Sequence, residues 1–182
     1  MTSAQPTRLV DLIASRLRDV PDFPSPGVVF KDVTPLLADA DAFGSVVRDM
    51  ADRRRGSIDL VVGIEARGFI FGAALALELG IGFVPVRKAG KLPGRTFGVS
   101  YDLEYGSARI EVHEDSFVGG ERVLVVDDVL ATGGTAQAAC QLLEDAGATV
   151  VAFEAPIELE FLCGRKRLEG REVHTSLVVR SD

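Results

Sequence analysis

No stretch constrains the fold of this chain more than Val123 to Thr135, VLVVDDVLATGGT. Val123 to Val126 form a short apolar run of the kind found in strands buried on both faces. Two adjacent carboxylates, Asp127 and Asp128, close that run. Small residues follow, namely Ala131, Thr132, Gly133, Gly134 and Thr135. Ala136 to Ala146 then have a helix-forming composition, and Gly147 stands where such a helix would end. The order strand, acidic corner, glycine-rich loop, helix belongs to an α/β sheet, whose ligands sit beyond the carboxyl ends of the strands.

Two glycines let several backbone N–H groups converge on one anion, and the helix N-terminus adds its positive dipole end. Thr132 and Thr135 offer hydroxyl donors to the same oxygens. Carboxylates repel a phosphate, so Asp127 and Asp128 suit vicinal hydroxyls or a Mg²⁺ ion instead. One side for phosphate and the other for diol or metal describes a sugar phosphate. Alone, a DD pair is often a solvated strand end and TGG a plain turn. Their joint placement behind a buried strand and ahead of a helix favours a binding site.

Further strand-to-helix units surround this one. Leu60 to Ile64 (LVVGI) reads as a buried strand running into Glu65, Ala66, Arg67 and Gly68, then a helix from Phe69 to Leu79. Arg67 offers a planar fork of donors suited to pyrophosphate oxygens; the alternative is pairing with Glu65 or a C-terminal carboxylate. Gly82 to Val86, Ser107 to His113, Thr149 to Ala155 and Val173 to Val179 are further strands, the last at an edge. Pro156 to Leu162 reads as an amphipathic element closing the core. Leu9, Ile13, Leu17 and Val20 predict an amphipathic helix over Thr7 to Val20, and Phe43, Val46, Val47 and Met50 a second over Asp41 to Arg55. Arg53 to Arg55 read as a solvated charge run facing that helix's dipole.

Two segments fit neither pattern. Pro21 to Leu37, PDFPSPGVVFKDVTPLL, holds too many prolines for a helix or central strand, yet Phe23, Val28, Val29 and Phe30 are too apolar for a loose linker. It reads as an irregular packed loop, either binding or bracing. From Arg87 onward, Arg87, Lys88, Lys91 and Arg95 form a basic patch with no nearby acid in the sequence, punctuated by Gly90, Pro93, Gly94 and Gly98. A mobile basic loop suits a lid over a polyphosphate, and it also suits an exposed hairpin tip. His113 and His174 are far apart and read as surface or interface residues.

Bulk properties narrow the classes. The 182 residues suffice for one domain burying about 70% of its unfolded surface. A formal charge of −7 argues against broad nucleic-acid or anionic-membrane binding, so a polyanionic ligand has to be met by local cations. The uncharged run Gly68 to Leu77 is too short for a membrane span, and MTSAQPTRLVD lacks an apolar signal core. Cys140 and Cys163 lack metal-ligand spacing and are expected to be reduced, Cys140 in the core. A cytoplasmic location is expected.

The motif VLVVDDVLATGGT resembles the ribose-phosphate signature of the type I phosphoribosyltransferases. PDFPSPGVVF, GKLPG and YDLEYG resemble segments of the adenine phosphoribosyltransferases, and the likeness runs from about Pro21 to Leu162. The resemblance implies an α/β fold with a central, mostly parallel sheet flanked by helices. It implies a single domain over 1–182, with a small base-binding hood from about 21–37 and 156–182 and a flexible catalytic loop at about 87–107. It implies adenine and phosphoribosyl pyrophosphate (PRPP) as substrates and AMP and pyrophosphate as products, in purine salvage. Asp127 and Asp128 would face the ribose hydroxyls, and Ala131, Thr132, Gly133, Gly134 and Thr135 would cradle the 5′-phosphate. Glu65, Ala66 and Arg67 would form a pyrophosphate loop with a strained non-proline peptide, joined by Arg87, Lys88 and Lys91.

For the base, the resemblance implies that Phe30 stacks on adenine opposite Leu159, while backbone groups of Val29 and Lys31 read its edge. Lys31 stands where an arginine is expected. Glu104 would be the acid/base towards the purine, making it catalytic beside Asp127, Asp128 and Arg67, and Tyr105 would help to close the site. Mg²⁺ would be held mainly by PRPP, with help from Asp127 and Asp128 and no dedicated protein cage. A homodimer is implied, with Lys88 near the partner's site; no nucleic-acid or membrane partner is expected. Two rivals are a hypoxanthine or xanthine phosphoribosyltransferase and a PRPP-sensing transcriptional regulator. The PDFPSPGVVF and GKLPG segments count against the first, and the −7 charge against the second.

Overall fold

Five parallel strands carry the molecule. The structure, a computed structural model, describes residues 8–102 and 106–181. In chain order the strands are β1 (Arg18–Pro21), β2 (Val29–Asp32), β3 (Leu60–Ile64), β4 (Gly82–Lys88), β5 (Thr96–Asp102), β6 (Ser107–His113), β7 (Arg122–Val126), β8 (Val129–Leu130), β9 (Thr149–Leu159) and β10 (Glu172–Val179). The helices are α1 (Leu9–Ser15), α2 (Thr34–Ala38), α3 (Ala40–Arg54), α4 (Gly68–Leu79) and α5 (Gly134–Asp145). The main sheet runs β10-β9-β7-β3-β4-β6-β5, and β8 pairs beside β9. Strands β10 to β4 in that order are parallel, whereas β6 and β5 add an antiparallel ribbon.

The near-continuous valine runs of β3 and β7 are buried on both faces, as parallel strands under two helical layers must be. Val62, Val123 and Val125 face α5 through Ala139, Leu142 and Leu143. Val61, Leu124 and Val126 face α3 and α4 through Met50, Phe71 and Leu75. Each fully buried aliphatic side chain contributes about 1.5–3 kcal/mol, so these strand ends are among the stiffest points of the fold. Edge strand β10 lies where the sequence places it. Among the described residues no helix is long and apolar enough to cross a membrane.

Several local readings need correction. The N-terminal helix stops at Ser15, and Val20 lies in β1, which pairs antiparallel with β2 as a separate two-stranded hairpin. The proline-rich segment is therefore not wholly irregular. Its Val29–Asp32 form a strand, Pro35 opens α2, and Phe23, Val28 and Val29 are exposed rather than packed. Proline is tolerated in the first turn of a helix, and an isolated hairpin has edges free for it. In the stretch expected to be a mobile loop, β4 continues to Lys88 and Thr96–Asp102 form β5.

Beyond the central motif, β9 continues through Pro156 to Leu159 instead of giving way to a separate element. Val126 pairs with Glu154 and Val129 with Ile157. Pro156 thus falls between the end of β7 and the start of β8, where no ladder donor is required. Arg54 is buried, not solvated: its Nε meets Glu154 at 2.5 Å and its Nη2 meets Glu172 at 2.7 Å. The sequence of α3 carries no sign of a carboxylate that lies 100 positions away.

Candidate active site

The carboxyl ends of β3 and β7 lie side by side and present their loops to one cleft. After β3 come Glu65, Ala66 and Arg67, with a cis peptide between Glu65 and Ala66. After β7 come Asp127 and Asp128. Gly68 opens α4 against this corner, and a Cβ on it would meet Val126 O at 2.6 Å, so only glycine lets the two loops approach this closely. A cavity of about 610 Å³ lies between them. Glu65, Arg67, Lys88, Tyr101, Asp127 and Thr135 are among the residues that line it.

Asp128 is buried and accepts a short hydrogen bond from Arg67 Nε. Asp127 Oδ1 accepts from the Asp128 N–H at 2.8 Å, and the Asp127 N–H donates to Glu154 O at 3.1 Å. Burial first, and then the Asp128 carboxylate beside it, push the Asp127 pKa well above its ordinary value. Two carboxylates so placed favour a diol donor or a cation between them.

Beside this pair, the TGGT loop leads into α5 with Gly133 at its N-cap in the left-handed region, φ 79°. No side chain caps the helix, so its first-turn amides are left for a ligand. Val129 to Gly133, with Asp127, Thr135 and Ala136, surround a second, smaller hollow of about 80 Å³. Asp127 and Thr135 line both hollows. The loop is braced from below by Gly164, which follows the short 3₁₀ turn Glu160–Leu162. A Cβ on Gly164 would meet Ala131 O at 2.1 Å, and one on Gly133 would meet Gly164 O at 2.3 Å. Two backbone segments, one before α5 and one after β9, touch here with no room for a side chain.

The expected basic cluster is more neutralised than its spacing suggests. Glu65 accepts from Arg87 at 3.2 and 3.3 Å and from the Lys88 N–H at 3.0 Å. Burial works against ionisation of Glu65, but those donors outweigh it and hold its pKa below the ordinary value. Arg87 also donates to Lys91 O at 3.0 Å, and Arg95 pairs with Glu114 at 2.9 Å. Glu65 and Arg87 therefore neutralise each other and fix the loop, with Glu65 in the cleft wall. Lys88 lines the large cavity, and among the described residues no carboxylate lies within salt-bridge distance of Lys88 or Lys91. The patch was legible from its own letters, whereas its acids come from just after β3 and just after β6.

On the rim, Phe30 and its strand partner Val20 place the β1–β2 hairpin near the cleft. The Phe30 ring meets Phe23 edge-on at 5.2 Å, and Arg67 Cζ lies 5.6 Å from its centroid. Phe30 thus joins Arg67 and Asp128 in one chain of contacts. Val29 is exposed, and Lys31 pairs with Asp19 at 2.7 Å, its side chain committed to the hairpin. Leu159 ends β9, half-buried against the α3–α4 core. Glu104 and Tyr105 lie outside the described residues.

Sequence reasoning missed Tyr101, Gly164 and the Arg67–Asp128 pair. Tyr101 stands at the start of the YDLEYG segment and alternates with Val99, a signal for a shared face. Nothing in FLCGR marks Gly164 as a brace.

Similar proteins share this fold. Residues 37–181 match the family model described as phosphoribosyl transferase domain. An adenine phosphoribosyltransferase of Salinispora tropica is 59% identical over 170 residues, covering 93% of this chain and 90% of that protein. Among solved structures, adenine phosphoribosyltransferase from Thermoanaerobacter pseudethanolicus superposes with a TM-score of 0.90 at 46% identity, covering 93% of this chain and 99% of that one. The Saccharomyces cerevisiae enzyme, complexed with D-2,5-dideoxy-2,5-imino-altritol 1,6-bisphosphate and adenine, gives 0.88 at 40% identity, covering 93% of this chain and 98% of that one. With its DDVLATGGT corner, its parallel sheet and relatives matched over nearly their whole length, the chain belongs to the phosphoribosyl transferase family, among the adenine phosphoribosyltransferases.

Proposed function

We propose that this chain makes AMP and pyrophosphate from adenine and PRPP, with the residues around Asp127 as its centre. The observation that carries the reading is the pair of hollows that share Asp127 and Thr135 in their walls. The small one, inside the TGGT loop, suits the 5′-phosphate, and the larger one spans Asp127, Asp128, Arg67 and Lys88. A pentose bridging them lays its hydroxyls on the two carboxylates and its pyrophosphate towards the cations.

In the reaction the bond from ribose C1 to the pyrophosphate oxygen breaks, C1 bonds to adenine N9, and the N9 proton is lost. Positive charge develops on the sugar as pyrophosphate departs. Asp127 and Asp128 hold the ribose and lie where that charge grows. Arg67 and Lys88, with Lys91 nearby, stabilise the departing pyrophosphate. Because Arg67 pairs with Asp128, PRPP binding exchanges that ion pair for contacts of each partner with substrate. Phe30 and Leu159 hold the base, backbone groups of Val29 and Lys31 read its edge, Tyr105 aids closure, and Glu104 takes the purine proton.

Mg²⁺ fits the donor set. The two carboxylates are hard oxygen ligands, and a cation beside them relieves the repulsion that raises Asp127. PRPP itself would supply most of the ion's ligands, with Asp127 and Asp128 helping to hold it. The ion would neutralise pyrophosphate charge and help it to leave.

A homodimer is part of the same reading. The outer face of α4 presents Ile70, Ala73 and Leu77, and Leu77 is 84% exposed. A helix apolar on every side calls for a partner. Sedimentation equilibrium tests this, a monomer at micromolar concentration counting against it. A cytoplasmic location fits the two free thiols of Cys140 and Cys163.

The decisive experiment incubates protein, PRPP and Mg²⁺ with adenine, hypoxanthine, guanine or xanthine separately. AMP formed from adenine alone supports the reading. Nucleotide from hypoxanthine at a comparable rate, or none from any base, overturns it.

A further inference from the structure

The antiparallel ribbon β5–β6 touches the phosphate loop at one polar point. Tyr101 Oη and Thr135 Oγ1 are 3.1 Å apart, and both side chains are partly buried. The Tyr101 ring is packed with Val99 against the core cluster that includes Ala136, Ala139 and Leu143 of α5. Strand pairing fixes the ribbon too, Tyr101 opposite Ala108 and Val99 opposite Ile110. The phenol is therefore held on a rigid element, with its hydroxyl delivered to the first turn of α5. Thr135 is one of two residues that line both hollows.

A threonine hydroxyl carries one proton and two lone pairs. If Thr135 donates to Tyr101, its proton points away from the loop. If Tyr101 donates to Thr135, the threonine proton is released towards an anion, and each bond in the chain polarises the next. An anion only accepts, so a bound phosphate selects the second arrangement. We propose that Tyr101 is a positioning residue of the 5′-phosphate site, its hydroxyl donating to Thr135 Oγ1 and turning the Thr135 proton onto the phosphate. The proposal rests on the TGGT loop taking that phosphate. It gives the segment around YDLEYG a second role, linking the ribbon to the phosphate end of the substrate.

The test is a double-mutant cycle read by AMP dissociation constants from calorimetry and by KM. Tyr101→Phe keeps the packed ring and removes only the hydroxyl. It is expected to weaken AMP and raise KM for PRPP about 3- to 10-fold, the worth of one such hydrogen bond. KM for adenine should stay within about twofold, since the base lies at the other end of the substrate. In a Thr135→Val background the same change should cost nothing further, whereas in Thr135→Ser, which retains a hydroxyl, the penalty should return.

Equal losses for adenine and PRPP, an unaltered AMP constant, or a full additional penalty in Thr135→Val would each overturn the role of Tyr101. If Thr135→Val itself leaves AMP affinity unchanged, the phosphate-loop reading fails with it. If Thr135→Val weakens AMP but Tyr101→Phe does not, the loop reading stands and only the positioning role falls.

Discussion

At the carboxyl end of β7 the loop from Asp127 to Thr135 is gripped from several sides, by Gly68 of α4, by Gly164 after β9 and by Tyr101 of β5. The β1–β2 hairpin carrying Phe30 stands on the rim as a separate two-stranded sheet, with Phe23, Val28 and Val29 exposed. Its cross-strand ion pairs are Lys31 with Asp19 and Arg18 with Asp32. The first region is preorganised by backbone contact and buried apolar area. The second is held by exposed ion pairs, each contributing about 0–1 kcal/mol. A site that stabilises a charged transition state needs fixed dipoles, whereas a planar base needs only a stacking surface and a few edge contacts.

That contrast can be broken by mutation. Replacing Asp127 and Asp128 together by alanine should lower the rate of AMP formation by about 10²-fold or more while leaving the circular dichroism spectrum unchanged. Near-normal turnover would remove the carboxylates from the chemistry. Phe30→Ala should raise KM for adenine by about 10-fold, the order expected for a lost aromatic stacking face, with KM for PRPP within about twofold. A larger effect on PRPP would mean that the hairpin serves the phosphate end, through Arg67.

Smaller effects sharpen the difference between the regions. Gly164→Ala forces the brace off the TGGT loop and should cost about 1–3 kcal/mol, seen in a lower melting temperature. KM for PRPP should rise more than KM for adenine; the opposite order would detach Gly164 from the phosphate site. The last prediction concerns the cost of preorganisation. The raised Asp127 pKa means that the folded chain binds this proton more tightly than the unfolded chain. Its stabilisation is complete below the ordinary value of 3.8 and is lost as pH rises through the folded pKa. Above that raised pKa the ionised group destabilises the substrate-free protein. Asp127→Asn should then melt higher than wild type at pH 7, by about 2–4 °C for each kcal/mol relieved. The gap should close on acidification, and a constant gap across pH would reject the assignment.

What the amino-acid sequence by itself determined was the part of the molecule governed by local pattern. Valine runs at β3 and β7 are too apolar to lie anywhere but under helices, and glycines after an acidic strand end fit the αN-terminal anion site. Those signals lie within a dozen contiguous residues, so the fold class and the DDVLATGGT corner were legible. The tertiary structure alone decided which charges meet. It buried Arg54 against Glu154, tied Arg87 to Glu65 and set Arg67 on Asp128. It also brought Gly164 under Gly133 and the Tyr101 hydroxyl to Thr135. Contacts of that kind join residues roughly 20 to 100 positions apart, and no local periodicity encodes them. Only the packing of finished elements brings such partners within reach, which is why local letters revealed the site's chemistry and the assembled sheet revealed its bracing.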